Sequence, residues 1–570
     1  MMTLLCSCKN IKKDYLEQEV LKKANLDIRI GEKVGLVGKN GAGKSTIANL
    51  LFGNLAPDAG QIIWFQSNVK LGYLQQSVYY TSSTFNKLFE QEVEIQDFLE
   101  TTSLLGAKQV QQWEGDRLDG LSGGEKTKLA LANVWSTNPN FLILDEPTNH
   151  LDYEGTQWLI QKLKTYKGTV LIISHDRYFL DETVSRILEI EAGEIQEYKG
   201  NYSFYREEKK RKYASEMHAY EEQEKTKERI NQQIKQLKNW SNKAHRDSTT
   251  KGLKSGTKIG AKEYFRAKAK KKDQQIKSQI KRLEKIDHKG LKKPKEEEDI
   301  YFLFKKTEKK GKLILEAKNV KKQFGERSLF KDSSFTIQRG ERIGLFGNNG
   351  SGKSTFIKGL LGEVELEGTV YVSPSVNIGY LSQDVFDLKG DEHVLELFDI
   401  NNREEEGNVR TMLANLGFDE VLVRKKVNCL SLGERTKVKI AQLLLNNHDL
   451  LILDEPTNHL DLHAREQLED ALLQYNRTLL LITHDRYLLE RTCNHLLVFQ
   501  DEKITKVEYG FSQFTGLGTN QENDGEQQKM LLENEIAVIL AQLSNCIPGD
   551  ADYVKLDQQF QRLLERKKNI

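Results

Sequence analysis

Apolar residues recur along this chain in two different rhythms. Short unbroken runs, FLIL at 141–144, TVLII at 169–173, LLIL at 450–453 and TLLLI at 478–482, show no polar alternation. Such runs predict strands buried on both faces, as in a parallel sheet covered by helices on each side. Helical patterns lie between them, so an α/β architecture is predicted at both ends of the chain. The middle follows a helical rhythm. Ile230, Ile234 and Leu237 fall at i, i+4, i+7, and Ile276, Ile280 and Leu283 repeat that spacing. Each triplet lines one helical face. Pairing the two antiparallel places a turn near residue 257, where Gly252, Gly256 and Gly260 accumulate. A helical hairpin with a glycine-rich tip is predicted. Its first helix, over 203–245, would span about 65 Å at ~1.5 Å per residue. The tail carries Leu532, Ile536, Ile539 and Leu543, then Pro548-Gly549-Asp550, then Leu556, Phe560, Leu563 and Leu564. These predict a smaller helical hairpin suited to docking or packing.

The two α/β regions are copies of one another. Lys44 matches Lys353, Ser122 matches Ser431, Asp145 matches Asp454, Glu146 matches Glu455 and His175 matches His484, each pair 309 residues apart. Gln76 and Gln383 are 307 apart, which indicates a small length change in the intervening loops. Four regions follow: a first domain at 1–200, a linker at 201–312, a second domain at 313–512 and an extension at 513–570.

Composition sharpens this division. The 570 residues are 38% hydrophobic and 29% charged, with a net charge of only +2. That balance hides a segment, 231–290, with 18 Lys and Arg against 5 Asp and Glu. A concentrated basic element on an acidic body suggests a polyanionic partner at one place. Among the five cysteines only Cys6 and Cys8 are close, and their spacing suits zinc poorly. A reduced, cytoplasmic protein is expected. No apolar run approaches the ~20 residues of a membrane helix, and residues 1–15 lack the apolar core of a signal peptide.

The candidate chemistry begins with GKNGAGKST (Gly38, Lys39, Asn40, Gly41, Ala42, Gly43, Lys44, Ser45, Thr46) and GNNGSGKST (Gly347, Asn348, Asn349, Gly350, Ser351, Gly352, Lys353, Ser354, Thr355). Both fit G-x-x-x-x-G-K-[ST] after an apolar strand pattern and before a helical one, the context the motif requires. Glycines let successive backbone N–H groups turn onto phosphate oxygens, and the helix N-terminus adds partial positive charge. Lys44 and Lys353 are expected on the β- and γ-phosphates of ATP, and Ser45 and Ser354 on Mg²⁺. LILDEP recurs at 142–147 and 451–456. Its acidic pairs place Asp145 and Asp454 near the metal, with Glu146 and Glu455 polarising the attacking water. His175 and His484, after TVLIIS and TLLLIT, are expected at the γ-phosphate. Gln76 and Gln383, ending YLQQ and YLSQ, lie between phosphate loop and acidic pair and complete the candidate metal set.

LSGGEKTKLA at 121–130 and LSLGERTKVK at 430–439, together with these motifs, resemble the signature sequence of ATP-binding-cassette proteins. The resemblance implies two tandem P-loop NTPase cassettes that sandwich two ATPs, each phosphate loop facing the other domain's signature. Ser431 and Gly433 would complete the first site, and Ser122, Gly123 and Gly124 the second. Tyr15 and Phe324 stand where the family stacks an aromatic on adenine, although core packing would also suit them. The second signature has Leu432 where the first has Gly123, a departure that could weaken closure at the first site.

Two cassettes, no membrane span, a charged linker, NHLD at 149–152 and 458–461, and YKGNYSFYREEK at 198–209 resemble the ABC-F family specifically. The resemblance covers about residues 1–512. It implies a monomer acting on the ribosome, at rRNA and the P-site tRNA. Such a protein binds the tRNA exit site in its ATP-bound form and reaches with its linker toward the peptidyl-transferase centre. The long linker and helical tail look like the Vga-type resistance members, whose drugs are lincosamides, pleuromutilins and streptogramin A. Read on its own, the linker suits either RNA or a solvated coiled coil. Its lysines fit phosphates, and Trp240, Tyr264 and Phe265 can stack on bases. Lys251, Leu253, Lys254 and Lys258 are the candidate tip contacts. A housekeeping translation factor, a DNA-associated ATPase and a transporter subunit with separate membrane partners are the competing functions.

Overall fold

The computed structural model describes residues 3–15, 18–75, 123–149, 151–254, 259–293, 311–325, 327–382, 388, 390–446, 448–458 and 460–519. Gln76, Ser122, Gln383, Lys258 and the tail beyond Thr519 lie outside the described residues, as does the predicted tail hairpin. The chain forms two compact units, one of residues 1–147 and 162–299, the other of residues 148–161 and 300–570.

In the first unit, β1 (Leu4–Tyr15), β2 (Gln18–Arg29) and β4 (Ala59–Trp64) form an antiparallel sheet with β1 central. A second sheet runs β5-β6-β7-β3-β8-β9, from β3 (Lys33–Gly38), β5 (Leu71–Leu74), β6 (Phe141–Asp145), β7 (Thr169–Ile173), β8 (Arg186–Glu191) and β9 (Glu194–Lys199). All its pairings are parallel except the β8–β9 hairpin. Every residue of β6 and β7 is buried, as unbroken apolar runs require. Helices α1 (Lys44–Phe52), α2 (Gly123–Ser136) and α4 (Arg177–Thr183) alternate with the strands, and α3 (Tyr153–Thr165) begins in the second unit and ends in the first. Cys6 and Cys8 point to one face of β1 and are buried in its core.

The linker is two helices, α5 (Tyr202–Lys254) and α6 (Ile259–Lys289). At ~1.5 Å per residue the 53 residues of α5 extend about 80 Å. Ile230, Ile234 and Ile276 are buried against one another, flanked by half-buried Leu237, Ile280, Leu283 and Ile286. Three polar links fix the register: Gln223 with Leu291 (3.1 and 2.7 Å), Lys227 with Asp287 (3.0 Å) and Ser241 with Asp273 (2.7 Å). Each pair is symmetric about residue 257, the predicted turn. The helices run further than the sequence pattern indicated. Gly252 and Gly260 are helical, and only 255–258 separate the two elements. A glycine costs a helix about 1 kcal/mol against alanine, too little to end it where flanking residues continue the hydrogen-bond ladder. At its base α5 is tied down by Ser203 N–H donating to Asp181 (2.7 Å) and by the Tyr205 hydroxyl donating to Glu189 (2.7 Å).

The second unit repeats the plan. Its antiparallel sheet is β11-β10-β13, from β10 (Leu313–Phe324), β11 (Arg327–Gln338) and β13 (Glu367–Val372). Its larger sheet is β14-β15-β16-β12-β17-β18, from β12 (Arg342–Gly347), β14 (Ile378–Leu381), β15 (Leu450–Asp454), β16 (Thr478–Ile482), β17 (His495–Gln500) and β18 (Lys503–Val507). The helices are α7 (Lys353–Leu360), α8 (Arg403–Asn415), α9 (Glu420–Val423), α10 (Leu432–Leu445), α11 (Leu462–Gln474), α12 (Arg486–Thr492) and α13 (Phe511–Thr519). Among the described residues no helix is long and apolar enough to cross a membrane.

Candidate phosphate-binding and water-activating corners

Each phosphate loop leaves the C-terminal end of a central parallel strand, β3 or β12, and turns into a helix, α1 or α7. Gly43 and Gly352 take φ of 102° and 99° at the helix N-caps, a left-handed backbone that a Cβ would strain. Lys44 Nζ donates to Gly38 O (2.8 Å) and Lys39 O (3.1 Å). Lys353 Nζ does the same to Gly347 O (2.6 Å) and Asn348 O (3.0 Å). Both lysines are buried, so the loop curls around a positive charge. The helix N-terminus behind it lends unpaired N–H groups to the same spot.

The acidic pairs end β6 and β15, one strand removed in each sheet. Asp145 and Asp454 close the strand pairing opposite Ile173 and Ile482. The next residue breaks the extended backbone. Glu146 and Glu455 have φ of 52° and 49°, a conformation uncommon for a side chain of this size. Their N–H groups donate to Ile173 O (2.8 Å) and Ile482 O (2.9 Å). The kink aims each glutamate at the histidine that follows the neighbouring strand. His175 Nε2 lies 3.4 Å from Glu146 Oε1, and His484 Nε2 lies 3.5 Å from Glu455 Oε1. Sequence motifs identified these residues but not the strained φ, repeated in both copies, that orients them.

Burial sets the electrostatics of the second corner. It pushes Asp454 up to about 6, against a hydrogen bond from Ser354 and the charge of Lys353. Burial first, and the Asp454 charge second, push Glu455 up to about 8. Burial also lowers the Lys353 ammonium, opposed by Glu455, Asp152 and Asp454. Three titratable groups are thus held away from water with their charged forms incompletely compensated, as befits a site built for an added charged ligand. An exposed serine hydroxyl hydrogen-bonded to a buried carboxylate, Ser354 with Asp454, is an oxygen-only donor pair suited to Mg²⁺. Among the described residues no cluster of three or more His, Cys, Asp or Glu could hold a metal ion without further ligands. Mg²⁺ commonly takes one or two protein ligands and completes its shell with phosphates and water.

The other candidates fall in three places. Tyr15 and Phe324 are exposed at the ends of β1 and β10, by 44% and 55%, so neither belongs to a core. Lys322 Nζ stands 4.9 Å from the Phe324 ring centroid. Gly123 and Gly124 open α2. Ser431 caps α10 in a reciprocal arrangement: Glu434 N–H donates to its hydroxyl (3.3 Å), and Ser431 N–H donates to Glu434 (2.7 Å). Leu432 and Gly433 are the first residues of that helix. Lys251, Leu253 and Lys254 lie in the last turn of α5. Asp152, the last residue of the NHLD motif at 149–152, was given no role in the sequence reading. Within the second unit its Oδ2 accepts from Asn349 N–H of the phosphate loop (3.5 Å).

Comparison with known proteins adds the class. A family described as ABC transporter matches residues 21–149 and again 330–458, and a related family of the same description matches 188–254. The chain is 43% identical to the ribosome protection protein VmlR of Bacillus subtilis over 98% of its own length and 97% of that protein. The chain belongs to the ABC-F family. It is also 30% identical to the energy-dependent translational throttle protein EttA of Escherichia coli, over 88% of this chain and 92% of that one. Among solved structures, the RNase-L inhibitor shares the fold with a TM-score of 0.58, 21% identity, 89% coverage of this chain and 91% of the other. As an ABC-F protein the chain is an ATP-hydrolysing enzyme with two ATP-binding cassettes.

Proposed function

We propose that this ABC-F ATPase binds the ribosome at the tRNA exit site and protects the peptidyl-transferase centre from antibiotics of the lincosamide, pleuromutilin and streptogramin A classes. The observation that carries this is the 43% identity to a ribosome protection protein, spanning nearly the whole of both chains. A basic arm about 80 Å long, anchored on the first cassette, supplies the reach. The chain divides into cassettes at 1–200 and 313–512, a linker at 201–312 and an extension at 513–570. It acts as a cytoplasmic monomer whose linker meets rRNA and the P-site tRNA, with Lys251, Leu253, Lys254 and Lys258 at the tip.

In each cassette the roles follow from position. Lys44 and Lys353, with the loop N–H groups of 38–46 and 347–355, hold the phosphates. Ser45 with Asp145, and Ser354 with Asp454, hold Mg²⁺, joined by Gln76 and Gln383. Bound there, Mg²⁺ supplies charge neutralisation at the phosphates. Glu146 and Glu455 orient and deprotonate the attacking water. His175 and His484, fixed against those glutamates, contact the γ-phosphate, and Tyr15 and Phe324 stack on adenine. Ser431 and Gly433 complete the first site, and Ser122, Gly123 and Gly124 the second, so that ATP binds the closed form more tightly than the open one. Only such differential affinity can move the equilibrium. Hydrolysis removes the γ-phosphate and with it the preference for closure, releasing the protein.

Drug susceptibility of cells with and without the gene tests this function. Protection is expected with the intact chain and absent after deletion of 252–260, while ATP turnover by the purified deletion protein stays unchanged. Likeness to the throttle protein EttA supports a second reading, a housekeeping factor that adjusts ribosome or tRNA conformation. Unchanged drug susceptibility together with ATP-dependent ribosome binding would favour it.

A further inference from the structure

The joint between the arm and the first cassette is built from two carboxylates. Asp181, on α4, accepts from both the N–H and the hydroxyl of Ser203 (2.7 and 2.6 Å). Glu189, on β8, accepts from the Tyr205 hydroxyl (2.7 Å), and the same oxygen pairs with the Lys209 ammonium. Glu189 and Tyr205 are both buried. The anchors come from separate elements, a helix and a strand, and grip the first two turns of α5. The strand anchor sits beside the phosphate loop: Glu189 lies opposite Val37 of β3, and Ile190 opposite Gly38.

The second cassette repeats these elements 309 residues later as α12, β17 and α13, with different chemistry. Val498 stands in place of Glu189, Phe511 and Phe514 in place of Tyr202 and Tyr205, and Gly518 in place of Lys209. Val498 and Phe511 are buried in the core. Phe346, the counterpart of Val37, meets Phe511 and Phe514 edge-on, with ring centroids 5.2 and 5.5 Å apart. Glu490, the counterpart of Asp181, accepts instead from Arg486 of its own helix (2.8 Å). Helix α13 runs 9 residues where α5 runs 53. The same corner of the fold is therefore closed with apolar side chains in one copy, and with charged and hydroxyl groups where the long arm departs.

Stability does not account for the polar version. Replacing a buried ion pair by apolar residues of similar size is often neutral or stabilising. What the polar groups add is direction. Hydrogen bonds weaken steeply off their line, whereas apolar contact is non-directional. Direction matters to a lever. A swing of ~10° at the base would carry the far end of α5, about 80 Å away, through about 14 Å. A single anchor leaves a pivot, and two anchors on different elements remove it.

We propose that Asp181 and Glu189 are positioning residues that lock the angle of the arm on the first cassette, so that cassette and arm move as one body. The joint does this whatever the arm meets.

Spin labels on Lys9→Cys of β1 and Lys235→Cys of α5, both exposed positions, report that angle as a distance distribution by double electron–electron resonance. The full-length chain is used, with Cys429→Ser and Cys546→Ser. Lys235 stands about 50 Å along α5 from its start, so a ~10° swing shifts it by about 9 Å. The intact joint should give one narrow distribution. Giving the joint the second cassette's residues, Glu189→Val with Tyr205→Phe, should widen it about twofold, as a loosened pivot allows. ATP turnover should stay unchanged and the melting temperature should not fall. Glu189→Gln, which keeps an acceptor for Tyr205, should keep most of the narrowness, and Asp181→Ala alone should widen the distribution. An unchanged width in the double variant would show that apolar packing holds the joint and overturns the proposal. So does a broad distribution from the intact joint. A lower melting temperature with lost ATP turnover in both the double variant and Asp181→Ala also overturns it, because the carboxylates would then serve the stability of the cassette itself.

Discussion

Every residue of β6, β7, β15 and β16 is buried, whereas among the described residues the apolar seam of the arm buries Ile230 and Ile234 of α5 against Ile276 of α6. The cassettes are thick with apolar contact on both faces of a sheet. The arm is a thin stripe under a cover of lysine. The contrast teaches where chemistry can be stored. A strained Glu455 at φ 49° with a carboxyl pushed up to about 8 persists because the surrounding sheet over-determines it. The arm has no such reserve, so its functional groups are exposed side chains whose placement depends on a few packed isoleucines and a few polar links. The cassettes suit bond-breaking, and the arm suits reading a surface.

The sharpest way to test the catalytic half is to remove the carboxylates proposed to activate water. Glu146→Gln with Glu455→Gln is expected to lower ATP turnover by ~10²–10⁴-fold while ATP is still retained, as measured by phosphate release and filter binding. Normal turnover would show that the kinked glutamates are not the bases. The arm responds differently. Ile234→Ala is expected to destabilise the hairpin by about 2–4 kcal/mol. Hydrogen exchange should speed up at amides of 223–291, with cassette protection and turnover preserved. Spread of the exchange into β6 and β7 would show that the two regions are one cooperative unit.

A smaller effect separates the buried acid from its scaffold. Glu455 stands above the ordinary carboxylate range in the folded protein, so its contribution to stability is present below about pH 4.5 and is lost as pH rises through about 8. Nucleotide-free protein should lose stability across that window. Glu455→Gln, with no proton to release, should flatten the profile, seen as a higher melting temperature than wild type near pH 8.5. Parallel profiles would place the carboxyl in a better-solvated setting.

Legibility in the sequence followed the same divide. Phosphate loops, acidic pairs and histidines were readable because backbone geometry at those points demands particular residue types in a repeated order. The antiparallel pairing of the two arm helices was readable from two apolar triplets alone. What escaped notice depends on tertiary context. The positive φ of Glu146 and Glu455 is imposed by strand pairing, not by residue type. The bond from Asn349 to Asp152 joins residues far apart in the chain. The reciprocal cap of Ser431 and Glu434 was legible as S-x-x-E but was overshadowed by the signature motif that contains it. Gly252 and Gly260 suggested a broader tip because glycine's preference for turns is weaker than the hydrogen-bond ladder that runs through them.

Affinity of the doubly substituted Glu146→Gln, Glu455→Gln protein for purified ribosomes, measured with ATP and with ADP, bears most directly on the link between these halves. If the γ-phosphate selects the conformation that presents the arm, binding with ATP should be at least about tenfold tighter than with ADP, equivalent to ~1.4 kcal/mol. Equal affinity with the two nucleotides would contradict nucleotide control of ribosome binding, even with both pockets filled.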